Sequence, residues 1–157
     1  MRTSIAVLAI AALVLPGAAV ASTVGKAASS AKTVVISTGK LAGLGYVLVD
    51  GRGRTLYMFV PDKRKRVTCV RVCAAVWPPV KLAAGAKAVA RGRVKATLLG
   101  SDKNPTGGRV VTYAGWPLYT YVSDTRPGVA TGQALNLNGG LWYVLAPSGK
   151  VIRTKVH

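Results

Sequence analysis

The chain writes one pattern twice. Leu56 to Asp62 reads LYMFVPD and Leu118 to Asp124 reads LYTYVSD, both of the form L-Y-x-[FY]-x-x-D. With Tyr57 set against Tyr119, Gly53 meets Gly115, Val49 meets Val111, Phe59 meets Tyr121 and Asp62 meets Asp124. If three extra residues are allowed in the second copy, CVRVCAAVWPPV aligns with ALNLNGGLWYVL and Trp77 meets Trp142. Residues 44–80 and 107–145 are therefore two copies of one unit: a hairpin, an aspartate, a loop and a tryptophan segment. A repeat of about forty residues buries its apolar face against its neighbour, so the two copies are expected to share one core. The same alignment sets Cys69 opposite Ala134 and Cys73 opposite Asn138. The cysteines are thus an addition to the first copy and no condition of the fold.

The segments between turn signals are short, β-branched and aromatic, which predicts an all-β or mainly β domain, a barrel or a sandwich. Thr33–Ser37 is a first strand. Tyr46–Val49 and Thr55–Val60 flank Asp50-Gly51-Arg52-Gly53, a hairpin signal, and alternation sends Leu56 and Met58 to one face and Tyr57 and Phe59 to the other. A second hairpin joins Arg109–Tyr113 to Pro117–Val122, and a third joins Leu141–Leu145 to Lys150–Thr154 across Pro147-Ser148-Gly149. Between the copies, residues 81–99 form a basic connector. Lys87, Arg91 and Lys95 recur every fourth residue and could share a helical face, although Gly85 and Gly92 weaken any helix. Ala96–Leu99 enters a strand, and Ser101–Gly108 is a turn-rich loop.

Residues 1–21 have the form of a secretory signal: Arg2, an apolar run from Ile5 to Leu15, the break at Pro16-Gly17, and Ala19-Val20-Ala21, with cleavage expected after Ala21. The run is too short for a membrane span, and no later segment could span a bilayer. Residues 22–32, small and polar, form a flexible leader, and 33–157 form the single β domain. In an exported protein, Cys69 and Cys73 are expected to be paired.

Composition limits the chemistry. There are 22 Lys and Arg against four acids, all aspartates, for a net charge of +18, and the single histidine is His157. A histidine-based triad, a His-rich metal centre and a zinc hydrolase all need residues that the chain lacks. No cofactor is expected, and no enzyme activity.

The Y-x-[FWY]-x-x-D pattern, the C-x-x-x-C-A-x-x-W-P-P segment from Cys69 to Pro79, and Gly115-Trp116-Pro117-Leu118-Tyr119 together resemble a bacterial family of secreted repeats that includes lipoprotein-like members. The resemblance covers about residues 33–147. It implies an exported envelope protein with tandem repeats and brings no biochemical activity. Unlike the lipoproteins, this chain has no lipobox cysteine, so its expected location is secreted or cell-wall associated.

The candidate residues admit competing roles. Asp62 and Asp124 close aromatic strands, where an aspartate accepts a backbone N–H two residues on and stabilises a turn. A pseudo-symmetric pair could instead bind a cation or serve as acid and base, but two carboxylates fall short of a calcium shell, and Lys63, Arg64, Lys65 and Arg66 follow Asp62. Tyr57, Phe59, Tyr119, Tyr121, Trp77 and Trp142 read as core. Tyr113, Trp116 and Tyr143 could line an exposed face for a sugar or flat ligand, and Trp116, in a turn, is the best exposed aromatic. Cys69 and Cys73 read first as a structural disulfide, second as a redox pair and third as a soft metal site. The basic residues fall into two groups, Lys63–Arg66 with Arg71, and the connector with Lys87, Arg91, Arg93 and Lys95. Their field suits an anionic envelope polymer or lipid headgroups, and no nucleic-acid motif accompanies it. The leading function is an exported, non-enzymatic envelope or wall-associated binding module with a basic surface. The alternative is an envelope redox or metal-handling protein centred on Cys69 and Cys73.

Overall fold

A computed structural model of the chain describes residues 33–155. The signal segment 1–21, the leader 22–32 and His157 lie outside the described residues. The strands are β1 (Val34–Leu41), β2 (Gly45–Asp50), β3 (Tyr57–Phe59), β4 (Lys81–Leu82), β5 (Ala88–Ala90), β6 (Leu99–Lys103), β7 (Arg109–Tyr113), β8 (Trp116–Pro117), β9 (Asn136–Leu137) and β10 (Gly140–Val144), with one short helix, α1 (Val72–Val76). They form three small sheets, ordered β2-β1-β5, β3-β10-β9 and β4-β7-β6 with β8 on β7, and no sheet closes into a barrel. The mainly β class follows from the sequence pattern; of the two architectures expected, the barrel is excluded.

The first hairpin forms only at its turn. Asp50 Oδ1 accepts the N–H groups of Arg52 and Arg54, each at 2.9 Å, and the Arg54 guanidinium bonds Oδ2. After the Val49–Thr55 bridge the chain leaves β2, whose long partner is β1, and β3 pairs with β10 instead. The alternation within the segment is as expected. Leu56 and Met58 enter a core with Ile36, Leu48 and Leu118. Tyr57 and Phe59 enter a second core with Trp77, Tyr119 and Trp142.

The second and third hairpins are present, the latter through a Leu145–Val151 bridge. The tail beyond is held by a residue whose role the sequence does not announce. Buried Gln133 donates from Nε2 to the Ile152 and Thr154 carbonyls and accepts the Val144 N–H on Oε1.

The connector differs from the expectation. Lys87, Arg91 and Lys95 share no helical face: β5 lies parallel to β1, and Ala96–Leu98 is a single 3-10 turn. Gly85 and Gly92 have φ of 74° and 58°, which breaks a helix at both ends of that stretch. Gly92 also sits against β1, where a Cβ would come 2.9 Å from Thr38 Oγ1. The turn-rich loop is shorter than expected, because β6 continues to Lys103; Asn104 then caps the turn by accepting the Thr106 N–H and hydroxyl.

The two copies meet about a pseudo-two-fold axis between the motif tyrosines. Tyr57 N–H donates to the Tyr119 carbonyl at 2.8 Å, and Tyr119 N–H returns the bond at 2.9 Å. Each motif strand then pairs with the tryptophan segment of the other copy. Phe59 faces Trp142 across β3 and β10. On the other side, Thr120 N–H donates to the Pro78 carbonyl and Val122 N–H to the Val76 carbonyl.

Gly132 lies where this exchange is tightest. A Cβ there would approach Trp77 Cη2 to 2.7 Å and Tyr57 Cζ to 3.0 Å. Gly132→Ala is expected to destabilise the fold by about 2 kcal/mol through overpacking, read as a lower urea midpoint with an unchanged m-value.

Candidate functional site

The motif residues build the interior of the molecule. Asp62 is 0% and Asp124 is 3% exposed, so each carboxylate depends on protein donors. Asp62 Oδ1 accepts the Thr68 N–H at 2.8 Å and the Thr68 hydroxyl at 2.6 Å, and Oδ2 accepts the Tyr119 hydroxyl at 2.5 Å. Asp124 repeats the set with the Thr131 N–H at 3.0 Å, the Thr131 hydroxyl at 2.5 Å and the Tyr57 hydroxyl at 2.5 Å. Each tyrosine thus serves the aspartate of the other copy. The Tyr57 hydroxyl also receives the Gly132 N–H at 3.2 Å. This corrects the turn-capping role expected for the aspartates, which reach six and seven residues on rather than two.

It also corrects the alignment. Thr68 corresponds to Thr131, so Cys69 stands opposite Gly132, not Ala134. The extra length of the second copy is divided: one residue falls before the threonine and two after it.

Burial pushes the Tyr57 and Tyr119 hydroxyls well above the ordinary tyrosine range, and the facing carboxylates add to it. Burial also raises Asp62, against the opposing pull of its donors from Thr68 and Tyr119.

Four rings stack through the axis. Tyr121 lies on Trp77 at 4.1 Å, Trp77 on Trp142 at 3.8 Å, and Trp142 on Phe59 at 4.2 Å. Tyr57 and Tyr119 meet the two indoles edge-on, at 5.4 and 5.3 Å. Such pairings add about 0.5–1.5 kcal/mol each beyond burial.

The copies differ at one indole. Trp142 Nε1 donates to the Leu137 carbonyl at 3.0 Å, whereas Trp77 Nε1 is buried without a partner. Where the second copy runs extended as β9, the first curls into α1, fastened by the Cys69–Cys73 disulfide. The equivalent acceptor is lost with that change of path.

The disulfide is the pairing expected from the sequence. Cys69 is buried, at 1% exposure, inside the second core. Tyr113 and Tyr143 do not line an exposed face. Both are buried, and the Tyr113 hydroxyl donates to the Pro147 carbonyl and accepts the Lys95 N–H. Trp116 is half-buried and packs on the first core, so it offers no open stacking platform. A turn position left it free in sequence, but its pairing with Tyr113 turns the ring inward.

The basic residues do reach solvent. Lys63, Arg64, Lys65, Arg66, Arg71, Lys87, Arg91, Arg93 and Lys95 are all exposed. Arg93 covers the Tyr46 ring at 4.0 Å and Arg153 the Tyr143 ring at 5.0 Å. Among the described residues the one ion pair is Arg54–Asp50, at 2.8 Å. No cluster of three metal-ligating side chains occurs among them.

Two predictions follow from the buried pairs. Tyr119→Phe leaves Asp62 short of a donor and is expected to cost about 1–3 kcal/mol, with Tyr57→Phe similar, both read by chemical unfolding. The unfolded tyrosines ionise near their ordinary value of 10.0 while the native ones keep their protons. The native state then binds more protons, so stability falls as pH rises past that value. The double Phe variant should show a shallower alkaline loss in a pH series of thermal unfolding.

Removing the disulfide should be milder. It closes a loop with a sequence separation of four, so Cys69→Ala/Cys73→Ala is expected to cost less than the ~3 kcal/mol of a 15-residue loop, apart from lost packing. The variant should still show a cooperative melt.

No helix among the described residues is long and apolar enough to cross a membrane. No curated protein and no solved structure matches the chain significantly. A family model described as a secreted repeat of unknown function matches residues 41–81 and again 100–146. These two segments contain the reciprocal Tyr–Asp pairs and all four stacked rings, and together they cover more than half of the sequence. The chain belongs to this family of secreted repeats.

Proposed function

We propose that the protein is a non-enzymatic envelope or wall-associated binding module, held by its basic surface on an anionic envelope polymer or on lipid headgroups. The observation that carries this reading is the disposition of the four carboxylates. Asp62 and Asp124 are consumed by the tyrosine and threonine donors, and Asp50 by Arg54. Asp102 Oδ1 accepts the Lys103 N–H, and its Oδ2 is buried. The acids are turned inward or tied to a neighbour, whereas the cations at 63–66 and 87–95 face water. A chain of net charge +18 so arranged presents a nearly unipolar positive surface. The buried motif aspartates serve the fold and leave no open acid–base pair. The redox reading at Cys69 and Cys73 has less support, since Cys69 is sealed in the core.

Retention on purified cell wall tests the proposal. Bound fraction should fall steeply as sodium chloride rises through the range in which the screening length drops from about 10 Å to about 3 Å. Retention that is indifferent to salt overturns the electrostatic role.

A further inference from the structure

One cleft holds a donor that the fold leaves unused. It measures about 300 Å³ and lies between the first copy and the loop that joins β6 to β7. Pro78, Pro79 and, from α1, Ala74 form its apolar wall. The two prolines bring rings and no N–H, and the Ala74 side chain adds only a methyl group. The second copy has no such wall, because there the chain runs extended as β9 in place of α1. The change of path that leaves Trp77 Nε1 without an acceptor therefore also builds this surface.

The polar lining is Lys81, Asn104 and Thr106. Asn104 is 2% exposed, and its backbone is held on both sides, by the Gly108 carbonyl at 3.0 Å and the Gly107 N–H at 2.9 Å. Its Oδ1 accepts the Thr106 N–H at 3.1 Å and the Thr106 hydroxyl at 3.0 Å, which fixes the orientation of the amide. The other end, Nδ2, has no protein acceptor. Among the described residues the partnerless side-chain atoms sealed from solvent are Trp77 Nε1 and Asp102 Oδ2, so Nδ2 keeps accessible surface. A donor this deeply set calls for an acceptor, and the cleft that Asn104 lines is the way in. Lys81 enters no ion pair. The Thr106 hydroxyl has given its proton to Asn104, so its lone pairs are left to accept.

The lining thus presents two donors, one of them charged, together with one acceptor and an apolar wall. A carboxylate suits the two donors, an amide N–H suits the threonine oxygen, and small side chains suit the alanine and prolines. A phosphate would meet the same donors but would leave the wall and the acceptor unused. We propose that this cleft binds the carboxylate end of a short peptide with small side chains. The carboxylate lies against Asn104 Nδ2 and Lys81, and the preceding amide N–H lies on Thr106 Oγ1. The buried, directional Asn104 amide sets the cleft apart from the rest of the basic surface. The inference goes beyond the electrostatic binding module and does not depend on it.

An NMR titration tests it with acetyl-Ala-Ala of either hand, as the free carboxylate and as the carboxamide. The free carboxylate should shift the Asn104 side-chain amide resonances, and the carboxamide should bind about tenfold or more weakly. Binding of either hand supports the site, and the tighter one states the hand of the ligand. Asn104→Asp keeps Oδ1 for Thr106 but replaces the donor with a second carboxylate oxygen, and should abolish the preference for the free carboxylate. Lys81→Gln should weaken the free carboxylate about threefold or more and leave the carboxamide unchanged, whereas Lys87→Gln, which removes equal charge elsewhere, should change either by less than about twofold. If Asn104→Asp fails to fold, the Lys81 and Lys87 variants and the two end groups still decide. Equal binding of carboxylate and carboxamide, shifts that bypass Asn104, or no binding at all overturns the site. In each of these cases salt-dependent retention on cell wall still tests the module by itself.

Discussion

The fold depends on a debt that neither copy can settle alone. An aspartate placed in an apolar core needs donors for both of its oxygens. Each copy supplies its own aspartate with a threonine hydroxyl and N–H and then runs out. The last donor is the tyrosine hydroxyl of the other copy. The same reciprocity holds for the backbone, where the two tyrosines exchange N–H···O bonds and each motif strand lies on the other copy's tryptophan segment. Polar and apolar requirements point to one answer, as they do in sequences that specify a single structure. The ring stack fills the space that the four bonds leave between the copies.

How far the sequence could be read follows from this reciprocity. The repeat, the aromatic alternation and the inward set of tyrosines and tryptophans were legible because each is a local periodic signal. So was the disulfide, from the compartment. The exchange of strands was not legible, since Thr55–Val60 pairs as well on paper with β2 as with β10. Nothing in a run of residues states which copy completes a hydrogen bond. The partners of the aspartates are hidden for the same reason: a turn cap is satisfied two residues away, and these reach across the molecule. In the connector, a spacing of four suggested a helix, but two glycines with positive φ and a run of Ala and Val gave β1 a parallel edge instead. For the surface, charge was legible in amount and not in place. The basic loop after Asp62 is pinned to the turn at Gly115, where the Lys65 N–H meets the Gly115 carbonyl, a proximity that only the fold creates.

The distribution of charge completes the division of labour. Three of the four aspartates make bonds that hold a turn or join the copies, and none stands free as a surface counter-charge. Basic side chains gather instead on the loop after Asp62 and along the connector. The loop after Asp124 carries Arg126 alone among the cations, so the second copy keeps the scaffold with little of the charge. The two copies have thus diverged on the surface while their interiors remain superimposable in role.

The strand exchange also sets an order of events. A chain that emerges from its N-terminus cannot finish either half of the core in passing. Tyr57 has no aspartate until residue 124 arrives, and Phe59 has no indole to lie on until residue 142 does. The first half therefore cannot complete its core until nearly the whole of the second is present.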